Sequence, residues 1–160
     1  MVPKVYIVCG CPGAGKSFYG KKLAERLRAA FLDIDISTER LVRLALEIAG
    51  HDPADRDTSF FKEYFREPIY EQLFDIARDN LRHVNVVIAA PFTKELKNQD
   101  WCERLTERLG CPVEIHYVSC EPGNALANVK TREMKRNSSI GKSTFAITMM
   151  KHRLVVRMFL

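Results

Sequence analysis

Eight consecutive residues near the start of the chain, Gly10 to Ser17, carry the clearest chemical signal in the sequence. They read Gly-Cys-Pro-Gly-Ala-Gly-Lys-Ser and match the phosphate-loop pattern G-x-x-x-x-G-K-[ST] in full. The glycines let the backbone curl so that successive N–H groups face one anion. Lys16 can then reach the β- and γ-phosphates of a nucleotide, and the Ser17 hydroxyl can ligate Mg²⁺. The residues expected to bind ATP are Gly10, Cys11, Pro12, Gly13, Ala14, Gly15, Lys16, Ser17 and Phe18.

Two further groups of residues have side chains suited to phosphoryl transfer. Asp33 and Asp35 end a short apolar segment, and a carboxylate there can accept a proton from an acceptor hydroxyl or help to hold the metal. The alternative is that Asp35 caps the next helix together with Ser37, while Asp33 lies at the surface. Arg132 and Arg136 are four residues apart and therefore share one helix face, where guanidinium groups can stabilise an anionic transition state. A solvated basic face is the alternative for this pair.

Alternating strands and helices must position these residues. Apolar segments predict four strands, at residues 5–9, 31–35, 84–90 and 113–118, of which the first and third are expected to be buried and the second ends in acids. Between these strands, apolar residues recur at helical spacing, which predicts helices. Ser37 or Thr38 is a candidate N-cap of the second helix. Residues 122–136 and 142–152 are also predicted as helices, and residues 154–160 fit either a last strand or a frayed helix. This order indicates an α/β domain with a parallel sheet, whose sites lie at the carboxyl ends of the strands.

Composition and length narrow the class of protein. The chain has 160 residues, of which 46% are hydrophobic and 28% are charged, as in globular proteins and unlike disordered ones. The longest stretch without a charged residue or histidine is Val5–Gly15, which is too short to cross a membrane. The N-terminus does not fit a secretory signal, and the five cysteines have spacings that favour reduced thiols over zinc or disulfides. We therefore expect one domain over residues 1–160, located in the cytoplasm.

The net charge of +5 is unevenly distributed along the chain. Residues 1–129 contain 17 basic and 19 acidic side chains, whereas residues 130–160 contain eight basic side chains and one acidic one. A nucleic-acid patch, a phosphate clamp and a solvated helix face all have this composition. The amino-acid composition does not distinguish these three interpretations.

The sequence resembles the P-loop kinase superfamily of small phosphotransferases. The resemblance is carried by the Gly10–Ser17 loop, the helical segment after it, and the F-x-D-x-D stretch at residues 31–35, which gluconate and shikimate kinases share. Zeta-toxin-like kinases and the polynucleotide 5′-hydroxyl kinase domain share the loop or the general layout. The order of elements matches over roughly residues 3–137, and only the first 40 residues match closely.

The resemblance implies a three-layer α/β/α P-loop NTPase fold with a mostly parallel sheet of about five strands. It implies ATP as phosphoryl donor with Mg²⁺, held by Ser17 and, partly through water, by Asp35. It also implies a lid at about residues 130–142, in which Arg132 and Arg136 cover ATP and one of them, taken as Arg132, packs against the adenine. In the superfamily an acid is usual on the third strand, where this chain has Ala89.

Three functions follow from these expectations. The first is an ATP-dependent kinase that acts on a hydroxyl of a small molecule, with Lys16, Asp35, Asp33, Arg132 and Arg136 as catalytic residues. Acceptor-binding residues would then be Asp35, Arg40 and Arg66. The second is a kinase acting on the 5′-hydroxyl of a polynucleotide or nucleoside. Nucleic acid is a less favoured partner than a small-molecule acceptor. The third, motivated by Ala89, is a non-catalytic nucleotide-binding module.

Overall fold

The computed structural model describes residues 2–119 and the backbone of two strands at 144–150 and 153–159. Six strands form one sheet in the order β2-β3-β1-β4-β6-β5. The strands are β1 (Val5–Cys9), β2 (Ala30–Asp33), β3 (Val86–Ala89), β4 (Val113–Ser119), β5 (Thr144–Met150) and β6 (Arg153–Phe159). Neighbouring strands are parallel except β5, which runs antiparallel to β6. The predicted α/β fold with a mostly parallel sheet is confirmed, with six strands in place of about five.

Five α-helices lie in the fully described part of the chain. They are α1 (Lys16–Leu27), α2 (Ile34–Ile48), α3 (Ser59–Tyr64), α4 (Arg66–Asn80) and α5 (Trp101–Leu109), with a 3₁₀ turn at Glu95–Lys97. None of the helices among these residues is long and apolar enough to cross a membrane.

The central strands are apolar on both sides because helices cover both faces of the sheet. Every residue of β3 is buried. Val86 and Ile88 pack into the larger core with side chains of α2, α4 and α5, whereas Val87 and Ala89 pack against α1. This alternation within one strand is the signature of a three-layer α/β/α arrangement.

The second strand ends two residues earlier than the sequence predicts. β2 stops at Asp33, and α2 begins at Ile34. The Asp33 carboxylate accepts hydrogen bonds from the backbone N–H groups of Asp35, at 3.0 Å, and Ile36, at 3.3 Å. Asp33 is therefore the N-cap, and the expectation that Ser37 or Thr38 caps this helix is wrong, because an earlier side chain already satisfies the first amides.

The C-terminal prediction is corrected as well. Residues 144–150, expected within a helix, form β5, and residues 153–159 form β6 beside β4. Phe145 and the β-branched Ile147 and Thr148 favour a strand once β6 provides a pairing partner, which local periodicity does not reveal. The helix expected at residues 122–136, with the lid and its arginines, lies outside the described residues.

Candidate functional site

A sharp turn links β1 to α1 and forms the phosphate loop. Gly10 has φ +141°, and its N–H donates to the Pro91 carbonyl at 3.3 Å, just beyond β3. A Cβ at Gly10 would lie 2.2 Å from the Val118 carbonyl oxygen of β4. The loop therefore starts in a space between two strands that admits only glycine.

The N-terminus of α1 faces the interior of this loop. Gly15 is the N-cap, with φ +88°, and it has no side chain to cap the helix. The Lys16 ammonium donates to the Cys11 carbonyl at 2.8 Å, across the loop. A helix N-terminus and an ammonium thus converge on one point, which fits the phosphates of a nucleotide. Binding would require Lys16 to exchange the Cys11 carbonyl for a phosphate oxygen.

Behind the loop, a partly buried chain of hydrogen bonds ties α1 to β4. The Tyr19 hydroxyl lies 2.7 Å from Nδ1 of His116, and Nε2 of His116 lies 2.8 Å from the Glu114 carboxylate. Burial raises the pKa of Tyr19 to about 12, with a further contribution from Glu114. Burial also lowers the pKa of His116, although Glu114 opposes the shift. At neutral pH the imidazole is therefore neutral, donating to Glu114 and accepting from Tyr19.

The two aspartates expected at the end of the second strand occupy different environments. Asp33 is buried, with only 4% of its surface exposed, and it caps α2. Asp35 is exposed in the first turn of α2 and lines a cavity beside the phosphate loop. The alternative in which Asp33 is a surface residue and Asp35 is the cap is therefore wrong.

No acid lies on β3, whose four residues are all described. Ala89 pairs in register with Asp33 on β2 and with Val8 on β1, and it is buried beneath α1. Within the described residues, no cluster of three His, Cys, Asp or Glu side chains could hold a metal by itself. Mg²⁺ would thus be held by the Ser17 hydroxyl and nucleotide phosphates, with a carboxylate acting through water. The residues fit a nucleotide-bound metal ion of this kind.

A cavity of about 300 Å³ lies next to the phosphate loop. It is bounded by the loop, the start of α2, the segment before α3, the start of α4 and the residues after β3. Its lining is Pro12, Ile34, Asp35, Thr38, Glu39, Val42, Arg56, Asp57, Phe61, Lys62, Arg66, Ile69, Tyr70, Pro91 and Thr93. This position at the carboxyl ends of β1, β2 and β3 is where parallel α/β sheets bind ligands.

The arginines expected near an acceptor are only partly brought together. Arg66 lines the cavity, as does Asp35. Arg40 is exposed and is not among the lining residues. Arg56 lines the cavity but was not predicted, because it lies in a polar segment, residues 51–58, without motif or periodicity. Its only sequence signal is a single arginine among three aspartates.

The fold and the loop define the class of this protein: it is a P-loop nucleotide-binding domain. A family model described as an AAA domain matches residues 5–155, and the chain belongs to that family. The α/β fold that the resemblance to P-loop kinases implied is confirmed. No curated protein matches the chain.

Solved structures with the same fold include two proteins described as kinases. One is from Chloroflexus aurantiacus and is named a "putative kinase"; it has 17% identity and a TM-score of 0.62, over 84% of this chain and 68% of that one. The other is a gluconokinase from Sinorhizobium meliloti, with 12% identity and a TM-score of 0.50, over 84% of this chain and 67% of that one. This chain therefore spans about two thirds of the length of each.

Proposed function

We propose that this protein is an ATP-dependent phosphotransferase that moves the γ-phosphoryl group of ATP to a hydroxyl of a small molecule. The observation that carries the proposal is the cavity shared by the phosphate loop and Asp35: Pro12 of the loop lines the same space as the carboxylate. A module that only binds nucleotide has no need of an acceptor cavity at this place.

The phosphate loop and Asp35 would divide the steps of this reaction between them. The loop amides and Lys16 bind the phosphates of ATP, and the Ser17 hydroxyl holds Mg²⁺. Mg²⁺ supplies positive charge that offsets the charge developing on the phosphoryl oxygens. Asp35 accepts the proton of the acceptor hydroxyl as its oxygen bonds to the γ-phosphorus, and the bond from that phosphorus to the ADP oxygen breaks. Arg136 is proposed to stabilise this charge from the lid, and Arg132 is proposed to pack against the adenine.

Two variants at a strand–helix boundary test the proposed roles of the acids. Asp35→Asn removes the base, so we expect kcat to fall by about 10²–10⁴-fold while ATP still binds. Asp33→Asn keeps an oxygen that can cap α2 but loses the charge. If Asp33 also holds the metal through water, Asp33→Asn should keep its stability and lose activity. An unchanged kcat would show that Asp33 only caps α2.

The first test of the whole proposal is nucleotide binding at the loop. Lys16→Ala should abolish the rise in melting temperature that ATP produces, because it removes the ammonium from the phosphate site. Lys22→Ala is a matched control, since Lys22 lies on the same helix and pairs with Glu25 on its exposed side. An ATP-induced shift that survives Lys16→Ala would refute binding at this loop.

The second test is phosphate transfer to a panel of sugars, nucleosides and 5′-hydroxyl oligonucleotides. Transfer to a small molecule supports the proposal. Transfer confined to oligonucleotides, with binding that weakens steeply as salt rises, would support the second candidate, a polynucleotide kinase, which the basic residues 130–160 favour.

A non-catalytic nucleotide-binding module is the third candidate, and the absence of an acid on β3 favours it. It predicts no transfer to any acceptor and residual ATP turnover that Asp35→Asn leaves unchanged.

The proposal includes a location in the cytoplasm, supported by cysteine spacings that suit reduced thiols.

A further inference from the structure

Helix α2 has apolar side chains on two opposite faces. On the inner face, Val42 and Leu46 are buried in the larger core. On the outer face, Leu41, Leu44 and Ile48 are 73%, 53% and 79% exposed. A helix at the surface of a globular protein normally carries charged and polar residues on its outer face. The apolar outer face of α2 is therefore left uncovered by the residues that the structure describes.

The three exposed residues of the outer face form one continuous row, the α2 stripe. Their spacing of three and four residues places them on successive turns of the same helix face. Single exposed apolar residues are common on protein surfaces, whereas a contiguous apolar patch points to a binding partner. Strands β5 and β6 lie at the far edge of the sheet from β2, which α2 directly follows, so they do not cover the stripe.

Two charged residues border the α2 stripe along one edge. Arg40 and Glu47 are both exposed, and they lie two helical turns apart on the same side of α2. Neither side chain has an ion pair with any residue in the described part of the chain. About 10 Å of helix separates them, which is too far for them to pair with each other. A partner that matches this edge offers a carboxylate near Arg40 and a cation near Glu47.

A second copy of α2 that runs antiparallel to the first has both properties. If a two-fold axis passes beside Leu44, this residue meets Leu44 of the second copy, and Leu41 lies level with Ile48 of that copy to within about 1.5 Å. The same axis brings the two charged edges face to face, so Arg40 lies level with Glu47 of the second copy to within about 1.5 Å. The stripe and its charged edge are thus complementary to themselves.

We propose that the α2 stripe is the interface of a homodimer in which two copies of α2 pack antiparallel about a two-fold axis. This inference does not depend on the proposed phosphotransferase function. The α2 residues that line the cavity lie on the opposite side of the helix, so dimerisation does not cover them; they include Asp35, Thr38, Glu39 and Val42. One helix from each copy gives a small interface of about 1,000 Å² in total, for which we expect a dissociation constant on the order of 10 μM.

Sedimentation velocity of the full chain from about 1 to about 300 μM tests for the dimer. The wild-type protein should change from monomer to dimer over this range. Leu44→Lys should remain monomeric throughout, because two ammonium groups would meet at the two-fold axis. Tyr64→Lys is the matched control, since Tyr64 is 59% exposed but lies on α3, and this variant should dimerise like the wild type.

Three results would overturn the inference. The first is a wild-type protein that stays monomeric over the whole range. The second is a dimer that Leu44→Lys leaves intact. The third is a monomeric wild-type protein whose melting temperature falls on Leu44→Lys, which would show that another part of the same chain covers the α2 stripe.

Exchanging the charges along the edge tests the antiparallel register. Arg40→Glu and Glu47→Arg should each weaken the dimer about tenfold or more, because each replaces two ion pairs with two contacts between like charges. The double variant should recover most of the wild-type affinity. An equimolar mixture of the two single variants should form mixed dimers, since each copy then carries the charges that the other lacks. A double variant that dimerises no better than the single variants would refute this arrangement.

Discussion

The close approach of Gly10 to β4 leads to a quantitative prediction. Replacing Gly10 with alanine places a Cβ 2.2 Å from the Val118 carbonyl oxygen and 3.2 Å from the Val118 carbonyl carbon. Real Cβ atoms essentially never come within 3.0 Å of such a neighbour, so the two segments must separate by at least 0.8 Å. The clashing atom is backbone in a central strand, and it has no rotamer into which to move.

The stability that Gly10→Ala is expected to lose has two parts, a steric clash and a positive φ. Overpacking of this kind costs roughly 1–3 kcal/mol, and the clash with fixed backbone places Gly10 at the upper end. A non-glycine residue at positive φ costs roughly another 1–3 kcal/mol, offset in part by about 0.4–1 kcal/mol from restricting the unfolded chain. Gly50→Ala carries only the second part, because Gly50 has φ +74° and no atom within 4 Å of the added Cβ.

The assay compares the two alanine variants by thermal and urea unfolding. We expect Gly10→Ala to be less stable than Gly50→Ala by about 3 kcal/mol, which corresponds to a melting temperature roughly 6–12 °C lower in a chain of this size. The ATP-induced shift should also shrink in Gly10→Ala, because the displaced segment is the start of the phosphate loop. Equal stability of the two variants would refute the claim that the loop is held against β4 by this close approach.

Three further predictions concern the contacts of α1 with the sheet. Gly20→Ala should destabilise the protein, although alanine favours helices, because the added Cβ would lie 2.6 Å from the Phe31 ring. Urea unfolding measures the sign of the change, and a gain in stability would contradict this prediction. Tyr19→Phe should cost about 1–2 kcal/mol by leaving His116 Nδ1 without its donor, whereas the exposed Tyr64→Phe should cost almost nothing in the same assay. The folded pKa of His116 lies below its unfolded value of 6.5, so its contribution to stability is present above pH 6.5 and is lost as pH falls through the folded pKa. His116→Gln should therefore flatten the fall in stability below about pH 6.5.

The phosphate loop was predictable from sequence because its chemistry dictates its local structure. Glycines at fixed intervals, a lysine and a hydroxyl leave few other arrangements, and the strand before them and the helix after them are both locally encoded. The buried strands were predictable for a related reason, since unbroken apolar segments such as Val86–Ala89 must be covered on both faces.

The cavity could not be predicted in the same way. Arg56 joins it only because the segment before α3 folds back to Glu39, a contact between residues 17 positions apart. The end of β2 was misplaced because Asp33 satisfies the first amides of α2, and an aspartate reads equally well as a strand end or a cap. β5 was missed because its partner β6 lies later in the chain, so the signal is a pairing and not a local pattern.

Position 89 of β3 lies in the apolar cluster beneath α1. A Cβ added at Gly20 of α1 would lie 3.6 Å from the Ala89 Cβ, so the helix passes close over this position. Ala89→Asp would bury a charge in an apolar cluster at a cost of several kcal/mol, and it would not restore a metal-binding acid. The acid in register with this position is Asp33 of β2, whose strand backbone lies about 4.8 Å from that of β3. An acid one strand away would act on a nucleotide-bound metal ion through water, so the lack of an acid on β3 is compatible with that role for Asp33 beside its capping of α2.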